Sequence, residues 1–432
     1  MEALATIPGT QIKDYNHLDH LRHEVANLLE TNPTSFPGCQ PVSFERKHIS
    51  KLLQEDFYVC EKSDGIRCLL YITQSPHTRK EEVYLINRKN EYYLLNNINF
   101  PLSEEDQKLT NERFPVGTLI DGELVLSVPK SGSGPKELTY LVFDCIAFHR
   151  KLLAKRTFDK RLAYFRGKLY QPYIEALKRR APNLPPPPFD IKFKNMEFSY
   201  GIPVIFQNMK KLRHISDGLI FTSREAPYVF KTDEMILKWK PPSQNTVDFL
   251  LSLEFPLVNQ DGEEFLDYDA KPICHLKIWM GNERYQLVET MYLTDDEWEQ
   301  LKSLNEPLDD RIVECYQDEK HRWRYMRFRD DKDNGNHFTI FSKVINSIED
   351  CVTKEELFSA CDSIKKHWKI RQKLADDRMR AEHERHRAEK AKWQREQERR
   401  HAQLHHSNDA VDPEKRKGEF MDSEQDPKKP KV

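Results

Sequence analysis

Apolar and polar positions recur at two periods along this chain, and the changes of period divide it into regions. Leu18, Leu21, Val25, Leu28 and Leu29 fall at helical spacing, so residues 17–30 are expected to form an amphipathic helix. A loop carrying Pro33, Pro37 and Pro41 leads to a second helix near 46–54. Short apolar runs then take over. Residues 57–60 and 68–72 read as strands, with Ser63-Asp64-Gly65 as the turn joining them into a hairpin. Residues 83–88 and 92–95 flank a Lys89-Asn90 turn, 118–126 form a strand interrupted by Gly122, and 138–148 form another. Residues 102–114 are polar, a loop or short helix, and 157–180 are helical. The prolines at 185–188 require an exposed extended connection. Two more strands, within 215–222 and at 236–240, close a first domain, and Pro241-Pro242 stops the second of them.

Beyond that stop the pattern is again one of short strands: 246–255, 273–279, 285–292, 311–316 and 322–329, with a helix at 295–304 between the third and fourth. Five strands and one helix suit a small closed barrel of the OB type. Helices near 336–349 and 353–367 follow. From 365 to 404 the chain is almost continuously charged and has no Gly or Pro, a solvated single helix or a disordered charged segment. Residues 405–432 read as a disordered tail. The expected organisation is therefore α+β, with domains at 1–244 and 245–364 and a charged C-terminal region at 365–432.

Composition narrows the class. The chain has 432 residues, and no apolar run approaches the roughly 18 of a membrane span. Its N-terminus lacks the basic and apolar regions of a signal peptide, so a cytosolic or nuclear protein is expected. Eight scattered cysteines form no CxxC pair, which argues against zinc and for reduced core thiols. The net charge of −2 conceals an asymmetry: residues 365–404 hold 14 Lys/Arg against 7 Asp/Glu, whereas residues 1–364 are net acidic. The globular part does not look like a bulk nucleic-acid binder, so any polyanion must be gripped locally. In the tail, Lys415-Arg416-Lys417 and the basic cluster at 427–432 could serve as nuclear import signals.

The candidate chemistry starts at Glu61-Lys62-Ser63-Asp64-Gly65-Ile66-Arg67, where a lysine stands at the rim of a sheet. Such a lysine becomes a nucleophile only if its proton can be removed. Elsewhere charged residues again end apolar strands: Arg88, Asp121 and Glu123, Asp217, Lys238 and Lys240, then Arg329, Asp331 and Lys332. Each alone could be a turn or a solvated edge. Together they supply cations and carboxylates suited to phosphate and a divalent metal.

These elements carry a resemblance. Lys62-Ser63-Asp64-Gly65-Ile66-Arg67 matches the KxDGxR signature of the covalent nucleotidyltransferases, the superfamily of mRNA guanylyltransferases and DNA and RNA ligases. The other elements follow in that superfamily's order: Leu85-Ile86-Asn87-Arg88, Asp121-Gly122-Glu123-Leu124-Val125, Asp217-Gly218-Leu219-Ile220-Phe221, Leu237-Lys238-Trp239-Lys240-Pro241, and the stretch from Arg322 to Lys332. The RxDK ending, Arg329 to Lys332, resembles capping enzymes and not ligases. Pro41-Val42-Ser43-Phe44, Asp144 and Ser347-Ile348-Glu349-Asp350 look like the fungal mRNA-capping enzyme alpha subunit type. The likeness spans about 40 to 360. Two positions depart from the usual pattern: Asn87 where Asp is common, and Gly335-Asn336-His337 where Pro-Asn-His is common.

The resemblance implies that Lys62 attacks the α-phosphorus of GTP, carries GMP, and passes it to the 5′-diphosphate end of RNA. It implies Arg67 and Arg88 at the ribose, Glu123 and Asp217 at metal or ribose, Phe143 stacked on guanine, and Lys238 and Lys240 at the α-phosphate. Arg329 and Lys332 would reach the β,γ-phosphates, with Asp331 orienting them. Asp248 matches a position the family needs, for a reason the sequence does not show. Magnesium or manganese is implied, as are action in the nucleus, the phosphorylated tail of RNA polymerase II as a partner, and a separate RNA triphosphatase that could form a heteromer with this chain. Arg67, Lys238, Lys240 and the metal are expected to lower the pKa of Lys62. The other readings are an ATP-dependent polynucleotide ligase, which leaves the RxDK ending unexplained, and a catalytically inactive RNA or polymerase adaptor.

Overall fold

In the computed structural model, which describes residues 6–408 apart from 130–133, 242–243, 261–262 and 319, two sheets face each other across the first 240 residues. In chain order the elements are β1 (Thr10–Gln11), α1 (Tyr15–Leu29), β2 (Gln40–Ser43), α2 (Lys47–Gln54), β3 (Phe57–Ser63), β4 (Ile66–Gln74), β5 (Glu81–Asn87), β6 (Tyr92–Leu94), α3 (Glu104–Thr110), β7 (Thr118–Ser127), β8 (Glu137–Phe148) and β9 (Lys151–Leu152). There follow α4 (Phe158–Tyr164), a π-helical turn at Phe165–Tyr170, α5 (Gln171–Lys178), β10 (Asp190–Phe193), β11 (Glu197–Phe198), α6 (Ile202–Met209), β12 (Ser216–Ser223) and β13 (Thr232–Trp239). The first sheet runs β1-β6-β5-β4-β7-β8-β10, with β9 paired to β8; the second runs β11-β3-β12-β13-β2.

The stretch around Lys62 corrects one expectation. The apolar runs flanking Ser63-Asp64-Gly65 do not form a hairpin. β3 pairs with β11 and β12 in the second sheet, whereas β4 pairs with β5 and β7 in the first. A strand's partner is decided by which faces can be buried together, and adjacency in sequence does not impose pairing. Phe57 and Val59 of β3 enter a core with Leu219 and Phe221 of β12, while Cys68, Leu70 and Ile72 of β4 enter another with Val83, Leu85 and Ile120. Asp64 and Gly65 therefore carry the chain from one sheet to the other. A Cβ at Gly65 would lie 2.2 Å from the Leu124 carbonyl oxygen, so only glycine fits the crossing.

The second half begins with β14 (Thr246–Glu254), β15 (Leu257–Gln260), β16 (Glu263–Leu266), β17 (Ile273–Gly281), β18 (Arg284–Met291), α7 (Asp295–Lys302), β19 (Ile312–Gln317) and β20 (Trp323–Phe328). Five of these strands close into a barrel in the order β14-β17-β18-β20-β19, around Val247, Phe249, Leu276, Ile278, Val313 and Trp323. The small hairpin β15–β16, which periodicity did not reveal, stands apart from it. A capping box at Thr294 and Glu297 starts α7.

After the barrel come α8 (Phe338–Glu349) and α9 (Lys354–Asn408). Phe341, Val344, Ile345 and Ile348 of α8 pack on the barrel. The chain then returns to the first lobe. Val352, Leu357, Cys361 and Ile364 are buried in the core of the second sheet, with Leu52, Phe57, Ile202 and Leu237. The Trp239 indole donates to the Val352 carbonyl at 2.7 Å, and Trp368 lies against the rings of Phe198 and Tyr200. Residues through Trp368 form one compact unit and those from Lys369 a second. The charged segment expected at 365–404 is helical, while 409–432, including both candidate import signals, lie outside the described residues. All eight cysteines are free, and none of the described helices is long and apolar enough to cross a membrane.

Candidate active site

A cleft separates the two sheets. Lys62, Arg67, Arg88, Glu123 and Phe143 all line it, joined by Ile220 and Ile236 from the second sheet. Lys62 is the penultimate residue of β3. Its Nζ donates to Asp217 Oδ1 at 2.6 Å, and Lys240 Nζ lies 2.8 Å from Asp217 Oδ2, so one carboxylate bridges two lysines. Burial opposes ionisation of Asp217, but the hydrogen bonds from Lys240 and Lys62 outweigh it and hold the carboxyl below its ordinary value. Gly218 makes this bridge possible. It sits at φ 153°, and a Cβ there would lie 2.0 Å from the Trp239 carbonyl oxygen, so β12 and β13 approach closely only with glycine.

Lys238 is half-buried, has no ion-pair partner among the described residues, and is pushed below its ordinary value by burial and then by Lys240, Lys62 and Arg88. Arg88, in the turn after β5, is exposed and likewise unpaired among the described residues. Two uncompensated cations therefore stand beside Lys62. Arg67 is different. It forms a buried bidentate pair with Asp121, at 3.0 and 2.6 Å, and also donates to the Cys39 carbonyl. Its charge is already balanced, and its guanidinium faces the Phe143 ring at 5.7 Å as part of the wall. Of the cations expected to act on Lys62, Arg67 and Lys240 are each paired with a carboxylate, whereas Lys238 has no such partner among the described residues. Asp121, the counter-ion of Arg67, is held also by the Tyr228 hydroxyl at 2.5 Å.

Glu123 stands on β7 across the cleft, and burial pushes its carboxyl up against the pull of Lys194, Lys62, Arg67 and Arg88. The described residues contain no cluster of three or more His, Cys, Asp or Glu side chains placed to hold a metal ion. Magnesium is commonly held by one or two carboxylates together with substrate phosphates; of the two candidates, Glu123 lines the cleft, and both oxygens of Asp217 are engaged by Lys62 and Lys240. Asp144, singled out from sequence, lies at the cleft and pairs with the buried Arg161 at 2.8 and 2.9 Å.

Lys194 was not found from sequence. It reads there as one more basic residue in a polar connection, yet it is buried, lines the cleft, and donates to Ser63 Oγ at 2.8 Å. Glu61 lies 3.8 Å from it and 3.7 Å from His214. Residues 61 and 63 thus anchor, from behind, the strand end that presents Lys62.

The remaining candidates sit on the barrel. Asp248, buried on β14, receives Arg329 at 3.1 Å and also Lys332. Arg329 makes a second, bidentate pair with Asp331 at 2.8 and 2.9 Å, which holds the Asp331 carboxyl far below its ordinary value. Asn336 clamps Asp248 by donating its backbone N–H to the Asp248 carbonyl at 2.7 Å and accepting the Asp248 N–H on its side chain at 3.0 Å. Asp248 is thus the seat that orients Arg329 and Lys332, a role legible only in the structure. The structure does not bring these barrel residues into the lining of the cleft.

A lysine held by a carboxylate between two sheets, with unpaired cations beside it and an apolar slot opposite, is suited to nucleotidyl transfer. The family described as "mRNA capping enzyme, catalytic domain" matches residues 3–242, and "mRNA capping enzyme, C-terminal domain" matches residues 244–358. The chain is 45% identical over 377 residues to the mRNA-capping enzyme subunit alpha of Yarrowia lipolytica, covering 86% of this chain and 93% of that one. It is 46% identical to the protein of the same name from Neurospora crassa, over 81% and 90% of the two chains. Against that of Schizosaccharomyces pombe the identity is 44%, over 82% and 86%. A solved ATP-dependent DNA ligase from bacteriophage T7, in complex with ATP, is similar at a TM-score of 0.33 and 15% identity, over 68% of this chain and 98% of that one. The chain belongs to the mRNA capping enzyme family.

Proposed function

We propose that this mRNA guanylyltransferase works through Lys62 in two steps. In the first, the Lys62 amine attacks the α-phosphorus of GTP; an N–P bond forms, an N–H proton is lost to solvent, the bond to the β-phosphate oxygen breaks, and pyrophosphate leaves with the electron pair. In the second, a terminal oxygen of 5′-diphosphate RNA attacks the same phosphorus, the N–P bond breaks, and Lys62 is regenerated with the GpppN cap formed. The observation that carries this reading is the Lys62–Asp217–Lys240 bridge with unpaired Lys238 beside it. Lys238 and Lys240 would receive the phosphates of GTP beside the Lys62 amine.

The base would enter between Phe143 and Ile220, with Arg67 fixing the Phe143 face and Arg88 reaching the ribose. Glu123 and Asp217 would hold a magnesium or manganese ion, which neutralises charge developing on the phosphates. Residues 1–244 and the barrel domain from 245 would close on GTP, so that Arg329 and Lys332, oriented by Asp248 and Asp331, meet the β,γ-phosphates; reopening releases pyrophosphate and admits RNA. The family reading also carries action in the nucleus, docking to the phosphorylated tail of RNA polymerase II, and an RNA triphosphatase acting upstream. A ligase or an inactive adaptor is not favoured.

The test is incubation with α-labelled GTP or ATP and magnesium, followed by denaturing gel. Covalent label from GTP, lost in Lys62→Ala, is expected. Label from ATP alone, or label surviving Lys62→Ala, would overturn the assignment.

A further inference from the structure

A second hollow, of about 650 Å³, lies on the first lobe at the far end of β5 from the cleft. Arg88 follows the last residue of β5, whereas Arg79 and Lys80 precede its first, so the two places are separated by a strand roughly 20 Å long. Arg79, Lys80, Arg113 and Arg180 line the hollow, and none of the four makes an ion pair among the described residues. The contrast with the groove beside β10 is informative. There Lys192, Lys194 and Arg213 are paired with Asp190, Glu61 and Glu137 respectively, which leaves Lys211 as the one lining Lys or Arg without an ion pair among the described residues.

The carboxylate in the hollow does not balance its cations. Glu81 is turned to the Phe100 N–H at 2.7 Å and the Asn99 amide at 3.1 Å, and burial pushes its carboxyl up. A second observation is independent of charge. Tyr173 lines the hollow at 2% exposure, stacked on Phe100, yet among the described residues its hydroxyl has no hydrogen-bond partner, and neither does Arg180 Nε. A buried hydroxyl without a partner forfeits the hydrogen bond it made to water, so such a group is ordinarily satisfied. Burial pushes the Tyr173 hydroxyl up to about 12, which keeps it a donor. Four cations without counter-ions, of which Arg79 donates to Gln74 Oε1 at 3.2 Å and Arg180 to the Pro185 carbonyl at 2.5 Å, and an unsatisfied buried donor converge on one concave place in an otherwise acidic body.

We propose that this hollow binds phosphates of single-stranded RNA downstream of the 5′ end being capped. The inference rests on the guanylyltransferase reading, because that reaction brings a phosphate-rich chain into the cleft and leaves its following nucleotides to cross the lobe. Four separate cations without counter-ions suit successive backbone phosphates better than a single phosphoryl group. Arg113, Arg180 and the Tyr173 hydroxyl would donate to phosphate oxygens, fixing the path of the strand without reading its bases.

The experiment uses the full chain with two 5′-diphosphate RNAs, one of about two nucleotides and one of about twenty, and measures direct binding by anisotropy together with KM for GMP transfer. In Arg113→Ala/Arg180→Ala, Kd and KM for the long RNA are expected to rise about tenfold, and the salt dependence of Kd to flatten by about 0.7 for each phosphate no longer neutralised. Values for the short RNA and GTP labelling of Lys62 stay unchanged. Tyr173→Phe removes only an oxygen atom without a partner, so its fold loses nothing, and a rise of about threefold for the long RNA is expected. Unchanged long-RNA binding and salt slope in both variants overturns the proposal. So does equal loss for both RNAs, or retained RNA binding with lost binding of a phosphoserine peptide. Failure of the unaltered chain to label at Lys62 sinks the catalytic reading and leaves the binding measurement standing.

Discussion

Asp217 holds two lysines, and the consequence for reading sequences is specific. A KxDG element shows where the proposed nucleophile stands, but not that a carboxylate 155 positions away holds it. The same holds for Arg67: nothing local marks it as the buried partner of Asp121. Charges that look alike in sequence separate in the structure into balanced ones, Arg67 and Arg161, and uncompensated ones, Lys238 and Arg88, because pairing is decided by strand register. Another carboxylate is legible only as a cost. Asp233 is buried, its Oδ2 has no partner among the described residues, and burial holds its carboxyl above the ordinary value. A raised folded-state value means that stability is greatest below the unfolded carboxylate range and is lost as pH rises through the folded value. Asp233→Asn keeps the acceptor for the Met235 N–H and removes the charge. It is expected to stabilise the chain by about 1 kcal/mol at pH 7, a Tm rise of roughly 2–4 °C in thermal unfolding, and to change little at pH 4. A lower Tm at pH 7 would show that the charge is needed.

Among elements, the strands were largely legible and their partners were not. Alternation and turn residues located β5, β6, β7, β8 and the barrel strands, because one face of each is buried and that period survives in sequence. The crossing at Asp64-Gly65 was misread as a hairpin because a turn between two apolar runs has the same local chemistry whether or not the runs pair. β11, at two residues, and β16, exposed along its whole length, carry no burial period. The RxDK element shows how a loop is made rigid by another element. Asn336 fixes Asp248, and Asp248 seats Arg329 and Lys332. Lys332→Ala is expected to abolish enzyme–GMP formation while preformed enzyme–GMP still caps RNA. Asn336→Ala should slow the first step about tenfold, with the second unchanged, because it removes about one hydrogen bond's worth of order from the seat. Single-turnover assays of each step decide; normal labelling in Lys332→Ala would sink the two-step assignment.

On the scale of the whole molecule, the charged segment and the compact body are distinct, but the limit between them lies later than composition suggests. Ile364 is 1% exposed and Trp368 packs on two aromatic rings, so the first turns of α9 belong to the first lobe. A chain ending at 368 is expected to keep wild-type GTP labelling and Tm. One ending at 350 strips Val352, Leu357, Cys361 and Ile364 from a core, a loss on the order of 5 kcal/mol or more, and should neither fold stably nor label. Equal activity of both would show that the packing is dispensable. The return of the chain at Val352 has a further consequence. The barrel is tied to the lobe at two places, one after Trp239 and one before Val352, and the indole of Trp239 bonds the Val352 carbonyl. Lys238 and Lys240 flank that same tryptophan. On the proposed two-step reading, a body on two tethers explores far less space than one on a single tether, so Arg329 and Lys332 would meet bound triphosphate at a high effective concentration, and along a restricted arc. Loosening either tether would dilute Lys332 while leaving its own hydrogen bonds intact.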